Sequence, residues 1–313
     1  MKLTTTISLG EGSTPLLRAV RVSERTGADV WLKWEGANPT GSFKDRGMAM
    51  AVSKALEEGA QAVVCASTGN TAASAAAYAA RAGLAALVLQ PVGAVALGKL
   101  AQARAAGARV LAVRGSFDQA LAAAVELAER GTHVLVNSLN PWRLEGQKTA
   151  SFELADELGG PPDVLALPYG GGGNTCAYAL GFEELGGGLP RIFAAEAADR
   201  DATLASAIRI AEPAHRERAE EAVANSGGQV VSLFDEAILA AWQRLAQEEG
   251  VFCEPSSAAG VAALEQIGVE AGATAVCVIT GHGLKDPEAV ERSAPPLVEV
   301  DSDPDAIAAA ADR

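Results

Sequence analysis

The chain has 313 residues, 49% of them apolar, enough for one large α/β unit or two modest ones with a sizeable core. A formal charge of −14 argues against nucleic acid or an anionic membrane as partner, yet leaves room for a locally positive pocket that takes a phosphorylated small molecule. No apolar run reaches the ~18 residues of a membrane span, and "MKLTTTISLGEGSTP" carries neither a signal core nor an Arg-rich amphipathic helix, so the reading is a cytoplasmic protein.

The first informative stretch is "NPTGSFKDRG", residues 38–47, which sets one of only seven lysines between a Gly-Ser turn and a helix start. Ser42, with Asp45 three residues on, has N-cap spacing, and "RGMAMAVSKALEE" predicts a helix running to Gly59. Lys44 then lies at the positive end of that helix, a place that lowers an amine's pKa and favours its neutral, nucleophilic form. A solvated lysine at a helix start is the competing reading.

Short apolar runs then alternate with Ala-rich helical stretches. "QAVVCAS" precedes "TAASAAAYAARAG", "LAALVLQP" precedes "LGKLAQARAAG", and "ARVLAVRG" precedes "SFDQALAAAVELAERG", where Ser116 and Gln119 have capping-box spacing and Gly131 is a stop. The series continues with "HVLVNS", a helix over "LEGQKTASFELADELGG", "DVLALP", "NTCAYALGFEELGG", "RIFAAEA" and finally "TAVCVITG". This alternation predicts an α/β fold of open, mostly parallel sheets with helices on both faces, its strands buried on both sides. Cys65, Cys176, Cys253 and Cys277 have no metal spacing and read as buried small hydrophobes, so no metal site is expected. The tail beyond Pro295 reads as peripheral and partly disordered.

Ligands bind beyond the carboxyl ends of strands in such sheets, and three loops stand there. "ASTGNTAAS", residues 66–74, offers Ser67, Thr68 and Asn70. "PYGGGGNT", residues 168–175, places four glycines between a strand and a helix, where backbone N–H groups can converge on an anion. Its spacing is neither a dinucleotide fingerprint nor a Walker loop. "TGHGLKDP", residues 280–287, follows the last apolar strand. A lysine for a Schiff base together with a phosphate cradle suggests pyridoxal 5′-phosphate.

Taken together, "NPTGSFKDRG", "ASTGNTAAS", "NSLNPWRLEGQKT" and "TGHGLKDP" resemble the threonine synthases of the shorter bacterial type, within the tryptophan-synthase-β-like group of pyridoxal-phosphate enzymes (fold type II). The resemblance runs from about Gly12 to Pro287. It implies two sheets in two domains, a smaller one over 46–137 and a larger one over 1–45 and 138–313, and a homodimer. It makes Lys44 the Schiff-base lysine, Phe43 a lining of the cofactor ring and Asn70 the partner of the ring's 3′-oxygen. Gly170, Gly171, Gly172, Gly173 and Asn174 become the cofactor-phosphate loop, with the Thr280 hydroxyl set against the ring nitrogen. Ser67, Thr71, Asn137, Ser138 and Arg143 are assigned to a phosphorylated amino acid. Arg143 suits a phosphate because a guanidinium binds two oxygens at once, and Lys148 follows about a turn and a half later.

The activity implied is a carbon–oxygen lyase of threonine biosynthesis, turning O-phospho-L-homoserine and water into L-threonine and phosphate. A hydroxy-amino-acid dehydratase, a β- or γ-replacement synthase and a non-enzymatic amino-acid-binding protein are the alternatives. Two departures bear on the substrate. Gly171 stands where the family has asparagine, and "ADRDATLASAIRI" is expected to pass directly into a helix where relatives carry a longer excursion. His282 reads as a loop hydrogen-bonder, and His133 and His215 have no metal-spaced companions. "FCEPSSAAG" reads as a turn before a helix, with Ser256 or Ser257 as cap and no chemistry assigned to Glu254.

Overall fold

The computed structural model of the chain describes residues 6–67, 69–93, 97–293 and 297–311. Among them the strands are β1 (Leu16–Arg18), β2 (Asp29–Trp34), β3 (Ala62–Ala66), β4 (Ala85–Pro91), β5 (Arg109–Val113), β6 (Val134–Leu135), β7 (Val164–Pro168), β8 (Arg191–Ala197), β9 (Gln229–Leu233) and β10 (Thr274–Ile279). The helices are α1 (Val20–Thr26), α2 (Lys44–Glu57), α3 (Asn70–Ala82), α4 (Leu97–Ala105), α5 (Phe117–Glu129), α6 (Pro141–Gln147) and α7 (Thr149–Leu158). They continue with α8 (Gly173–Leu185), α9 (Arg216–Asn225), α10 (Asp235–Glu248), α11 (Ala259–Ile267), α12 (Pro287–Ser293) and α13 (Pro304–Ala311).

Two sheets organise these elements, as the alternating pattern predicts. The four-stranded sheet has the order β5-β4-β3-β6 and is parallel throughout. The six-stranded sheet has the order β1-β2-β10-β7-β8-β9, and only the β1–β2 pair is antiparallel. Strand periodicity of two divides each sheet's apolar residues between two cores. In β3, Val63 and Cys65 pack with Met48, Val52 and Tyr78 of α2 and α3, while Val64 and Ala66 face Ala120 and Ala124 of α5. In β10, Ala275, Cys277 and Ile279 join the core under α10 and α11, and Val276 and Val278 join the core under α7 and α8. Each fully buried valine or isoleucine contributes about 1.5–3 kcal/mol.

The capping box of α5 is formed, with Ser116 accepting from Gln119 N and the Gln119 side chain accepting from Ser116 N. All four cysteines are buried and free. Several local expectations are corrected. The apolar run of β5 is not buried on both faces, because β5 is an edge strand and Leu111 is exposed. The helix expected over 144–160 is two, α6 and α7, which meet at Lys148. Asn140 caps α6 through Trp142 N, and Pro141 starts it. No helix directly follows β8: residues 198–215 form a long excursion with one 3₁₀ turn, Ser206–Ile208, before α9. In the tail, Leu297 is fully exposed and α13 buries none of its residues, while 294–296 lie outside the described residues.

Candidate active site

Lys44 opens α2, and the chain before it is fastened to the loop after β10. Phe43 N donates to Thr280 O at 3.0 Å, His282 N to Gly41 O at 2.9 Å, and Ser42 bridges to Gly281. Ser42 does not cap the helix as its spacing suggests, since its buried Oγ has no hydrogen-bond partner among the described residues. The Asp45 carboxylate instead reaches back, accepting from Thr40 N, Thr40 Oγ1 and Ser74 Oγ, each at 2.6 Å. That closes the turn from inside the helix and fixes where Lys44 starts.

Burial pushes the Lys44 amine down to about 7, helped by the neighbouring positive charge of Arg143 and opposed by Glu254. Desolvation and a like charge, and not the helix dipole expected from the sequence, are the causes. The Lys44 Nζ lies 4.3 Å from the centroid of the Phe43 ring. Arg143, 1% exposed, is itself held down to about 10 by burial. Its Nη1 donates to Val136 O at 2.8 Å and its Nε has no partner among the described residues. Arg143 and Gly47 pack so closely that a Cβ at Gly47 would lie 2.7 Å from Arg143 Nε, which fixes the guanidinium against α2. Lys148 does not extend this positive site. It pairs with Glu145 at 2.6 Å and Glu184 at 2.5 Å.

The glycine loop lies between β7 and α8. Gly172, at φ +83°, is the N-cap of α8, a conformation that favours glycine. Gly171 has no such backbone, and a Cβ there would meet only Ile210 Cδ1, at 3.7 Å. The excursion 198–215 wraps this loop: His215 N donates to Gly171 O at 3.1 Å, and Arg200 Nη1 donates to Gly170 O at 3.3 Å and to Ile210 O at 3.1 Å. The ring of His215 donates from Nε2 to Ser138 O at 2.8 Å, so the histidine ties the glycine loop to the segment after β6. In the first turn of α8, Asn174 Nδ2 and Thr175 Oγ1 are buried without partners among the described residues.

Asn137 and Ser138 lie beyond β6, which ends at Leu135 and not at Ser138 as expected. The Asn137 amide accepts from Ala66 N and donates to Ala66 O, both at 2.9 Å, so it prolongs the sheet edge beside β3. One N–H and one lone pair of that amide are left for a ligand. Ser67 Oγ accepts from Gly69 N at 3.2 Å, Thr71 is half-buried in the first turn of α3, and Thr68 lies outside the described residues. His282 is the loop hydrogen-bonder expected, its Nδ1 accepting from Leu284 N.

Sequence reasoning missed Glu254. It is 4% exposed, and both its oxygens accept from Asn70 Nδ2 at 3.1 Å. Burial pushes its carboxyl up, against the pull of Asn70, Lys285 and Lys44. Three residues on, Ser257 Oγ lies 2.9 Å from Thr280 Oγ1. The available signal was an acid enclosed by "VFC" and "PSSAAG", where an unpaired charge is costly.

Residues 7–281 match the family described as pyridoxal-phosphate dependent enzyme. The chain belongs to that family. It is 52% identical over 300 residues to a threonine synthase of Halalkalibacterium halodurans, covering 90% of this chain and 85% of that protein. A threonine synthase of Synechocystis is 51% identical, covering 96% of this chain and 84% of that protein. The solved structure of maize serine racemase shares the fold at a TM-score of 0.77, with 23% identity, 89% of this chain and 91% of that one covered. The residues present fit the family's cofactor. An amine held near 7 can be neutral, and a glycine loop leading into a helix whose Asn174 Nδ2 and Thr175 Oγ1 have no partner among the described residues suits a phosphate.

Proposed function

We propose that this chain is a threonine synthase, a carbon–oxygen lyase that converts O-phospho-L-homoserine and water to L-threonine and phosphate. The observation that carries the reading is half-identity over nine-tenths or more of the chain to proteins of that name. Pyridoxal phosphate supplies the electron sink for the carbanion chemistry. Lys44 would hold that group through its amine; once the substrate's amino group has displaced it, the freed amine, held down to about 7 by burial, would take and return protons at the substrate's Cα and Cβ. The loop from Gly170 to Gly173, with Asn174 and the start of α8, binds the cofactor phosphate. Phe43 lines the ring, Asn70 serves its 3′-oxygen and Thr280 its nitrogen.

Arg143 binds the substrate phosphate, whose departure from Cγ it assists by its charge, with Ser67, Thr71, Asn137 and Ser138 orienting the rest of the amino acid. Its Nε, without a partner among the described residues, and its charge felt at Lys44 support this role. The division into domains over 46–137 and over 1–45 with 138–313 belongs to the same proposal, supported by a four-stranded sheet wholly inside the first span. A homodimer and a cytoplasmic location, both implied by the resemblance, complete it. The test is to incubate the purified protein with O-phospho-L-homoserine and follow phosphate and threonine, expected in equal amounts. Formation of a 2-oxo acid from threonine or serine, with no phosphate released from O-phosphohomoserine, would overturn the reading in favour of a dehydratase.

A further inference from the structure

We propose that Glu254 is a positioning residue for the cofactor, acting through Asn70 by selecting which end of the Asn70 amide faces the ring. This rests on the assignment of Asn70 to the ring's 3′-oxygen. A side-chain amide presents either a carbonyl or an NH₂ group, and nothing in its shape decides between them. A carboxylate decides it, because an ionised carboxylate accepts and cannot donate. Both oxygens of Glu254 take the Nδ2 end of Asn70 at 3.1 Å, which leaves the other N–H of the same nitrogen for an acceptor.

Three further observations point the same way. Glu254 is buried and forms no salt bridge among the described residues, so its carboxylate is held by the Asn70 amide and not by an ion pair. Gly281 makes room for it: a Cβ there would overlap the carboxylate, lying 2.6 Å from Glu254 Cδ. The backbone at Glu254 is pinned as well, since Glu254 N donates to Gly281 O at 3.0 Å and Ser257 N to Glu254 O at 2.9 Å. The turn that carries Glu254 also carries Ser257, whose hydroxyl meets Thr280. One short segment therefore braces the two side chains assigned to the polar positions of the ring, its 3′-oxygen and its nitrogen. Burial raises the carboxyl's pKa, which is the cost of keeping an acid in this place.

The experiment titrates pyridoxal phosphate into apo forms of the parent, Asn70→Ala, Glu254→Gln and the double variant, recording cofactor Kd and the visible absorption of the bound cofactor. Borohydride reduction and peptide mapping report attachment at Lys44. Glu254→Gln is expected to shift the absorption in the same direction as Asn70→Ala and to weaken binding roughly tenfold. The double variant is expected to bind within about twofold of Asn70→Ala, because the two side chains act as one unit. Gly281→Ala, which disturbs the carboxylate without altering it, is expected to give the same spectral shift and serves if Glu254→Gln fails to fold. A shift in Asn70→Ala with none in Glu254→Gln or Gly281→Ala, or additive losses in the double variant, would overturn the proposal alone. An unmoved spectrum in Asn70→Ala would overturn the assignment of Asn70 as well.

Discussion

Two buried cations stand two residues apart on α2 and have opposite fates. Arg46 is 3% exposed and its guanidinium is met by two carboxylates: Nε and Nη2 bind Glu35 at 2.7 Å, and Nη1 and Nη2 bind Glu153 at 2.6 and 2.7 Å. Thr14 and Thr149 hydroxyls accept as well, and fully buried Lys33 joins Glu153 and Glu157 on the far side. Burial would lower the Arg46 pKa, but these partners push it up. Lys44 has no comparable pair among the described residues: Arg143 nearby is of like sign, and the opposing pull of Glu254 is the weakest of the three influences on its amine. Compensation makes a cation part of the architecture; its absence makes one available for chemistry.

The largest expected effect breaks the uncompensated side. Lys44→Ala should fold, lose the visible band of bound cofactor and be essentially inactive, as absorbance and phosphate release would record. Next comes the compensated side. Arg46→Ala leaves Glu35 buried and unpaired and should cost about 3–5 kcal/mol, lowering Tm by roughly 6 °C or more in thermal unfolding of the apo protein. The same cluster has an acid limit. Burial acts to raise the Glu153 carboxyl, but Arg46, Ser13 N and Lys33 hold it at about 2, so its contribution is present above its ordinary value of 4.5 and lost as pH falls from there towards 2.

Arg143 is the intermediate case, buried but only partly partnered. Arg143→Ala should leave the cofactor spectrum in place and raise KM for O-phosphohomoserine roughly 10- to 150-fold, the equivalent of a charged hydrogen bond of about 1.5–3 kcal/mol. Equal losses for an unphosphorylated amino acid would move Arg143 from phosphate binding to structure. The smallest effect belongs to Gly171. Without a positive φ, and with a Cβ meeting only Ile210 Cδ1 at ordinary van der Waals distance, Gly171→Asn should be tolerated, changing kcat/KM by no more than about the 2- to 12-fold of one polar contact.

The parts of this site that were legible in the sequence are those built from neighbours in the chain. The helix after Lys44, the glycine loop into α8 and the capping box of α5 each rest on spacing over a few residues. What escaped depends on partners far away. The strand β2 carries Lys33 next to its last residue, which hides an apolar strand until Glu153 and Glu157 are seen to neutralise the charge. Glu254 looked like a turn acid because Asn70, its partner, lies 184 residues earlier. Ser42 had cap spacing, but Asp45, Thr40 and Ser74 had already closed the turn. The excursion 198–215 reads as a helix start in the sequence because its contacts, from His215 and Arg200 to the glycine loop, are tertiary.

In the proposed function Lys44 reacts because no ion pair holds its charge, and the titration of its own amine is the decisive observable. Initial rates of pyridoxal-phosphate attachment to the apo protein, trapped by borohydride and mapped to Lys44, should rise with pH about a midpoint near 7, since the neutral amine is the reactive form. A midpoint near the ordinary 10.5 of lysine, or attachment that persists in Lys44→Ala, would contradict the account.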